Sequence, residues 1–277
     1  MQTTQTTPAS YKALVGIDLD ETLLTDDKEI SKANRSAIKN AIDHGVAVAL
    51  ISGRTVCGMM EYVESLDIQT PCCGAGGATV FDPRNKKILQ HFPLSAEERD
   101  AVFQAIGKYP LTIFCHEFDK IYIQNSVEEH TRSLRRPSAC ELVEMTDMQT
   151  SYKHLPSKIS MRGDTDYLVS VRDQLTRNRP DLNCFLTPPQ TLEVSQQLAH
   201  KGAGLLSIAR LLGIPVNKTI GIGDSENDYM LIAEAGIGVA MDNAIDKLKA
   251  QADYVAPNNN DDGVAWVFEN VLPKILD

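Results

Sequence analysis

Two aspartates, Asp18 and Asp20, stand two positions apart at the end of a short apolar run, residues 13–17. An ionised carboxylate can attack phosphorus and form an aspartyl phosphate. A second carboxyl group nearby can donate a proton to the leaving oxygen and later accept one from water. The two residues are therefore a candidate catalytic pair for phosphoryl transfer, although an Asp-x-Asp-Glu-Thr segment is also typical of a polar turn.

Other polar residues supply what such a reaction needs. Asp224 and Asp228 carry oxygen ligands of the kind that a hard cation such as Mg²⁺ binds. Ser52 can donate a hydrogen bond to a phosphoryl oxygen, and Lys201 can balance its negative charge. Three of them have a structural alternative: Ser52 and Asp228 suit helix caps, and Lys201 suits a solvated surface position, whereas Asp224 at a strand end is harder to explain in this way.

The segments around these residues predict alternating strands and helices. Residues 13–17 and 46–51 are apolar runs typical of buried strands, and residues 31–44 between them have the apolar period of a helix. A strand, a helix and a strand with short connections form a βαβ unit, which predicts a parallel sheet. The pattern returns near the C-terminus, with strands predicted at 219–222, 238–241 and 254–256 and helices at 202–212, 228–235, 243–251 and from 263.

The predicted strands place the reactive residues together. Three of them end in Asp18-Leu19-Asp20, in Ser52-Gly53-Arg54 and in Gly223-Asp224. In an open parallel sheet, sites form beyond the carboxyl ends of the strands. We therefore expect these residues to converge, with Lys201 opening the helix that precedes the Asp224 strand.

The middle of the chain has a different pattern. Short alternating or β-branched segments occur at 111–114, 121–124 and 158–161, separated by helices, one of which opens with a capping box. The predicted fold class is α/β: a Rossmann-like parallel sheet core made of residues 1–83 and 191–277, interrupted by an inserted α+β cap domain of residues 84–190.

Composition limits the classes of partner. The formal net charge of −10 leaves no basic stripe for a nucleic acid backbone. No apolar run approaches the length of a membrane span, and residues 1–10 have no apolar core of a signal peptide, so we expect a soluble cytoplasmic protein. The six cysteines are scattered irregularly and are expected to be small buried apolar residues in a reducing compartment. The oligomeric state is left open.

Four motifs in fixed order resemble the haloacid dehalogenase superfamily of phosphohydrolases, and most closely its Cof-type sugar-phosphatase branch. The resemblance covers the predicted core on both sides of the middle segment, whose insertion point is similar to that of a C2B-type cap. The motifs are Asp18-Leu19-Asp20-Glu21-Thr22-Leu23-Leu24, Ile51-Ser52-Gly53-Arg54, Lys201-Gly202 and Gly223-Asp224-Ser225-Glu226-Asn227-Asp228.

The resemblance implies a role for each motif position. Asp18 corresponds to the nucleophile and Asp20 to the general acid and base. The implied Mg²⁺ ligands are Asp18, Asp224 and the backbone carbonyl of Asp20, with Asp228 acting through water. The implied phosphate-binding residues are Ser52, Gly53, Lys201 and Asn227.

Two positions depart from the family pattern: Glu21 replaces a usual Gly, and Gly76 stands where this branch often has Asn. The expected function is a Mg²⁺-dependent phosphatase that hydrolyses small phosphorylated metabolites, with sugar phosphates as the leading class. A phosphomutase of the same branch is one alternative, and a phospho-receiver signalling protein without turnover is another. Three arginines of the middle segment, Arg132, Arg135 and Arg136, are candidates for contact with an acidic substrate group or for a solvated helix face.

Overall fold

The computed structural model describes residues 11–131, 140–187 and 190–276. Arg132, Arg135 and Arg136 lie outside the described residues. The strands, numbered along the chain, are β1 (Leu14–Ile17), β2 (Ala47–Leu50), β3 (Cys72–Gly74), β4 (Thr79–Asp82), β5 (Lys87–His91), β6 (Thr112–His116), β7 (Lys120–Gln124), β8 (Glu141–Glu144), β9 (Lys158–Arg162), β10 (Leu182–Thr187), β11 (Thr191–Gln196), β12 (Thr219–Gly223), β13 (Ile237–Met241) and β14 (Tyr254–Ala256).

Helices separate many of these strands. They are α1 (Lys32–Asp43), α2 (Val56–Ser65), α3 (Ala96–Ile106), α4 (Glu128–Thr131), α5 (Met148–Ser151), α6 (Thr165–Asn178), α7 (Lys201–Leu212), α8 (Tyr229–Glu234), α9 (Asp246–Lys249), α10 (Gly263–Asn270) and α11 (Pro273–Leu276). No helix in the part of the chain that the structure describes is long and apolar enough to cross a membrane.

Contacts within the chain divide it into two compact units, with boundaries at 50/51 and 204/205. The first, which we call the parallel-sheet unit, contains a five-stranded sheet in the order β14-β13-β12-β1-β2. Every neighbouring pair in this sheet is parallel, so the predicted parallel sheet is confirmed. Strands β1 and β2 are buried along their whole length, as expected for strands of a sheet covered on both faces.

The second unit, which we call the mixed-sheet unit, contains residues 51–204. A six-stranded sheet has the order β10-β11-β9-β6-β7-β8, and its pairs are antiparallel except for β7 and β8. Apolar side chains from α3, α6 and one face of this sheet form a buried cluster. Strands β3, β4 and β5 form a separate antiparallel sheet. The domain boundary predicted at 190/191 falls between β10 and β11, which pair with each other.

Two predicted helix starts have the expected capping contacts. The side chain of Ser31 accepts a hydrogen bond from the backbone N–H of Asn34 at the start of α1. Ser95 and Glu98 form a reciprocal capping box at the start of α3. The helix predicted at 243–251 is shorter than expected, because α9 spans only Asp246–Lys249.

The cysteines include one pair that the sequence analysis did not expect. Cys57, in the first turn of α2, forms a disulfide with Cys140, which directly precedes β8. The expectation that the six cysteines are small buried apolar residues in a reducing compartment is therefore wrong for these two, which are joined to each other. The error has a physical reason, since a pairing over a separation of 83 residues depends on the folded chain and not on local pattern. Cys72, Cys73 and Cys115 are free and buried, as expected, and Cys184 is free and partly buried.

Candidate active site

Asp18 lies directly after β1 in the parallel-sheet unit. The register pairs Ile17 with Ile222 on one side and with Leu50 on the other, so β1 is central between β12 and β2. The backbone N–H of Asp18 donates to the carbonyl of Ile222, which continues the sheet by one bond beyond the strand. The side chain is 4% exposed. The chain thus presents the first candidate carboxylate at the carboxyl edge of the parallel sheet.

Three carboxylates meet at this edge. Asp18, Asp224 and Asp228 each place one ligand oxygen within 4.8 Å of the other two, and all three residues are buried. Like charges at this spacing repel strongly in a buried setting unless a cation balances them. Carboxylate oxygens are the donors that Mg²⁺ prefers, so the residues present fit a magnesium ion. Among the described residues, the carboxyl group of Asp20 lies outside this triad.

Neighbouring groups hold the triad in place. One oxygen of Asp228, Oδ2, accepts hydrogen bonds from the backbone N–H groups of Asp224 and Ser225 at 3.2 and 3.0 Å. The hydroxyl of Thr22 donates to Oδ1 of Asp224 at 2.7 Å, and this bond is buried. Gly223 leaves room for the side chain of Asp228, whose Cβ and Cγ occupy the space that a side chain at Gly223 would fill. The carboxylates are therefore preorganised by the loop that follows β12.

Asn227 belongs to the same loop. The hydroxyl of Ser225 lies 2.9 Å from Oδ1 of Asn227, so the amide oxygen is engaged as an acceptor. An amide that accepts through its oxygen keeps both N–H bonds of its nitrogen as donors. Asn227 therefore has the chemical capacity to bind an anion through Nδ2.

Asp20 and Glu21 are paired with one lysine. The ammonium group of Lys28 lies 3.4 Å from Oδ1 of Asp20 and 2.7 Å from Oε1 of Glu21. Burial acts to lower the pKa of Lys28, but the hydrogen bond to Glu21 and the charge of Asp20 outweigh it, so the pKa is raised above its ordinary value. Asp20 thus has a fixed positive charge beside it.

Ser52 and Gly53 belong to the mixed-sheet unit, in a loop between Ile51 and α2. The backbone N–H of Ser52 donates to the carbonyl of Cys73 at 2.9 Å, and the carbonyl of Ser52 accepts from Gly76. The hydroxyl oxygen of Ser52 accepts from the backbone N–H of Arg54 at 3.1 Å. Accepting uses a lone pair and not the O–H, so the hydroxyl keeps a proton that it can donate to a phosphoryl oxygen.

Lys201 is the first residue of α7 and is 1% exposed. The alternative of a solvated surface position is therefore wrong for Lys201, because lysine is almost never fully buried unless its charge is paired. Burial raises the pKa of the Cys73 thiol to about 12, and the nearby charge of Lys201 acts against that rise. Gly204, one turn into α7, packs directly on the side chain of Cys73. Within the mixed-sheet unit, Ser52 and Lys201 are therefore both neighbours of Cys73.

Two buried contacts escaped the sequence analysis. Thr22 lies inside the first motif, but nothing local indicates that its hydroxyl bonds a residue 202 positions away. Lys158 lies in the segment predicted as a strand at 158–161, and its ammonium group is 2.7 Å from the carbonyl oxygen of Gly53, a contact that the strand pattern does not indicate. The available signal was the alternation along this strand, which places Lys158 and Ser160 on the face opposite to the apolar Ile159 and Met161.

Comparison with known proteins agrees with the geometry. The family model for haloacid dehalogenase-like hydrolases matches residues 15–268. A 5-amino-6-(5-phospho-D-ribitylamino)uracil phosphatase of Bacillus subtilis, YcsE, is 30% identical over 260 residues, which cover 92% of this chain and 96% of that protein. A second Bacillus subtilis phosphatase of the same description, YwtE, is 27% identical over 292 residues, covering 93% and 97%.

Solved structures give the same result for the fold. A haloacid dehalogenase-like hydrolase from Bacteroides thetaiotaomicron matches with a TM-score of 0.82 at 27% identity, covering 94% of this chain and 99% of that one. The subclass IIB sugar phosphatase BT4131 matches with a TM-score of 0.82 at 19% identity, covering 93% and 98%, a level that shows a shared fold. The chain therefore belongs to the haloacid dehalogenase-like hydrolase family and is a phosphatase of that family.

Proposed function

We propose that this protein is a Mg²⁺-dependent phosphatase of small phosphorylated metabolites that works through an aspartyl phosphate on Asp18. The observation that carries the proposal is the buried triad of Asp18, Asp224 and Asp228, whose oxygens lie within 4.8 Å of one another. A buried cluster of like charges lowers the free energy of unfolding unless a bound ligand balances the charges. A divalent cation together with a phosphoryl group is the ligand that suits it.

The proposed reaction has two steps. In the first, a carboxylate oxygen of Asp18 forms a bond to phosphorus, the ester bond breaks, and the carboxyl group of Asp20 gives its proton to the leaving oxygen. In the second, the Asp20 carboxylate takes a proton from water, the water oxygen bonds to phosphorus, and the bond to Asp18 breaks. The products are inorganic phosphate, the free hydroxyl compound and the starting enzyme.

The remaining residues have binding roles in this proposal. Mg²⁺ would be held by Asp18, by Asp224, by the carbonyl of Asp20 and, through water, by Asp228. When bound, it would supply positive charge that offsets the negative charge of the nucleophile and of the phosphoryl group. The phosphoryl group would be held by the hydroxyl of Ser52, the adjoining Gly53, the ammonium group of Lys201 and the amide nitrogen of Asn227. The burial of Lys201 and the acceptor contact of the Asn227 oxygen support these roles.

For the substrate we propose a primary phosphate ester of a sugar or sugar alcohol. The support is the description of several relatives, including YcsE and YwtE, as phosphatases of 5-amino-6-(5-phospho-D-ribitylamino)uracil, which carries its phosphate on a ribityl chain. We also propose that residues 84–190, whose strands lie outside the parallel sheet, act with β11 as a cap that selects the leaving group.

The test of the reaction class is release of phosphate from p-nitrophenyl phosphate, with Mg²⁺ and after its removal by EDTA. The wild-type protein should be active only with the metal, and Asp18→Asn should lower kcat by at least about 10³-fold because it removes the nucleophile. Asp20→Asn should lower kcat by about 10²–10⁴-fold, the usual contribution of a general acid and base. Equal activity of wild type and Asp18→Asn would overturn the proposal.

The substrate is tested with a panel of sugar and sugar-alcohol phosphates that includes 5-amino-6-(5-phospho-D-ribitylamino)uracil. The product separates the alternatives: a phosphatase releases inorganic phosphate, whereas a phosphomutase returns an isomeric ester. A phosphorylated protein that accumulates without turnover would indicate a phospho-receiver. Either of the last two results would replace the hydrolytic proposal.

A further inference from the structure

Lys158 is a buried cation of the six-stranded sheet. It is the first residue of β9, in which Ile159 and Met161 point into the apolar cluster. Successive side chains of a strand alternate between faces, so Lys158 lies on the opposite face from that cluster. Only 4% of the residue is exposed. A lysine this deeply buried requires a partner for its charge and for its N–H bonds.

Two partners satisfy the ammonium group of Lys158. One is Oε1 of Glu193 on β11, at 2.5 Å. The other is the backbone carbonyl oxygen of Gly53, at 2.7 Å. His116 is paired with Lys158 in the sheet register. Burial, together with the charges of Lys158 and Arg162, lowers the pKa of His116 well below its ordinary value, so this neighbour is uncharged. Glu193 thus fixes the position of the Lys158 ammonium group, which in turn binds the carbonyl oxygen of Gly53.

The main-chain atom belongs to the loop of Ser52, Gly53 and Arg54. The other polar contacts of this loop are mostly with its own sequence neighbourhood or with the 73–76 segment: Ser52 with Cys73 and Gly76, and Arg54 with Ala75. The carbonyl of Gly53 is instead held by a side chain from a strand 105 residues further along the chain. A hydrogen bond with a charged donor is roughly twice as strong as a neutral one. The middle of the loop is therefore fixed by Lys158.

We propose that Lys158 and Glu193 are positioning residues that hold the Ser52 loop in the geometry in which Ser52 binds the phosphoryl group. The inference rests on the proposed function, because it takes phosphate binding by Ser52 from it. Lys158 contacts the carbonyl oxygen of the Gly53–Arg54 peptide group, and the N–H of the same peptide group donates to the hydroxyl oxygen of Ser52 at 3.1 Å. Movement of this peptide group therefore displaces the hydroxyl. A displacement of about 1 Å of a catalytic group can lower the rate about 100-fold.

The test uses Lys158→Met, which keeps the length of the side chain and removes its charge and donors. Arg162→Met is the matched control, because Arg162 lies on the same face of the same strand but bonds Thr191 and His130. The measured quantities are kcat/KM for p-nitrophenyl phosphate and the inhibition constant of inorganic phosphate, well below the melting temperature. Lys158→Met should weaken phosphate inhibition and lower kcat/KM by about tenfold or more, and Arg162→Met should change the phosphate constant less than about twofold.

A double-mutant cycle with Ser52→Ala separates positioning from a general structural effect. If Lys158 acts through Ser52, then Lys158→Met should change phosphate inhibition less than about twofold once Ser52 is already alanine. Additive effects of the two substitutions, or an unchanged phosphate constant in Lys158→Met, would overturn the inference. If Lys158→Met does not fold, Glu193→Gln serves in its place, because it removes the charge that fixes the lysine and should weaken phosphate inhibition in the same direction.

The two proposals fail in different ways. A wild-type protein without Mg²⁺-dependent turnover would refute the proposed function. Normal wild-type turnover together with additive effects in the Lys158 and Ser52 cycle would refute only the positioning role.

Discussion

Glu21 has a positive φ of 58°, a left-handed conformation that side chains other than glycine adopt at a cost. This is the position at which the first motif departs from the usual glycine of the family. The side chain gains an ion pair with Lys28, and its carbonyl accepts a hydrogen bond from Asn243 at 2.7 Å. A partly exposed ion pair contributes little, so the left-handed turn at Glu21 is retained mainly by the backbone around it.

The conformation at Glu21 predicts an order of stability for two substitutions. Glu21→Gly and Glu21→Ala both remove the ion pair with Lys28, but only glycine adopts a left-handed φ without strain. Glu21→Gly should therefore be more stable than Glu21→Ala by about 1 kcal/mol in free energy of unfolding. Urea denaturation of the two variants measures the difference. Equal stabilities would show that the turn changes its conformation when the side chain is shortened.

Thr22 acts on the metal site through Asp224. Its hydroxyl donates to Oδ1 of Asp224 at 2.7 Å, and Thr22 is fully buried. Thr22→Val keeps the shape and removes the donor, so we expect the Mg²⁺ concentration for half-maximal activity to rise by about 10–100-fold, as is usual for residues that orient metal ligands. A magnesium titration of phosphatase activity measures it. Thr22→Ser, which keeps the hydroxyl, should stay near wild type, and an unchanged Thr22→Val would contradict the role.

At the scale of elements, the start of α7 is set by a glycine in another segment. Gly77 has a positive φ of 112°, and a Cβ there would meet the backbone of His200, the residue before Lys201. The two backbones can approach only because Gly77 has no side chain. Gly77 thus contributes to where α7 begins and so to where the ammonium group of Lys201 lies.

Gly77→Ala should accordingly disturb both stability and phosphate binding. We expect a loss of at least about 2 kcal/mol in free energy of unfolding, from backbone strain and from overpacking against His200. We also expect weaker inhibition by inorganic phosphate, because Lys201 is displaced. The control is Gly76→Ala, since Gly76 also has a positive φ but open space around its Cβ position. Similar losses in the two variants would show that strain alone, and not contact with His200, decides the effect.

The elements of the parallel-sheet unit could be predicted because their signals are local. Apolar runs, the cap at Ser31 and the following Gly45 mark strands and helices within a few residues of where they occur. The short α9 was overestimated, since only Asp246–Lys249 of the polar stretch 243–251 is helical. The carboxylates of Asp18 and Asp224 lie together, as the ends of their strands suggested, and that of Asp228 joins them from the loop after β12. The burial of Lys158 and Lys201 depends on tertiary packing and could not be derived from local pattern.

At the scale of the whole molecule, the Cys57–Cys140 disulfide closes a long loop in the mixed-sheet unit. The bond joins residues separated by 83 positions, and the hydroxyl of Thr55 lies 3.2 Å from the sulfur of Cys140. A cross-link over a long loop stabilises the fold mainly by restricting the unfolded chain. The bond therefore ties α2, which follows the Ser52 loop, to the segment at the edge of the six-stranded sheet.

Removal of this disulfide should lower stability. Cys57→Ser should reduce the free energy of unfolding by about 2–4 kcal/mol under oxidising conditions. Dithiothreitol should remove most of the difference from wild type. Cys184→Ser, which replaces a free and partly buried thiol, is the control and should not respond to the reductant in this way. A count of six reactive thiols in the unfolded, unreduced protein, in place of four, would contradict the bond.

The strand order β14-β13-β12-β1-β2 also determines when the protein can mature during synthesis. The hydrogen bond between Thr22 and Asp224 joins residues 202 positions apart. A ribosome that adds about 5–20 residues per second therefore reaches Asp224 roughly 10–40 s after Thr22. Strand β12 is made only at the end of that interval, so until then β1 has no β12 to pair with, whereas residues 51–204 are complete before β12 is made. A nascent chain halted before β12 therefore carries an open strand edge, which invites aggregation, and lacks a complete carboxylate triad. Chaperone engagement and quality control of this enzyme should consequently concentrate on its unfinished first sheet.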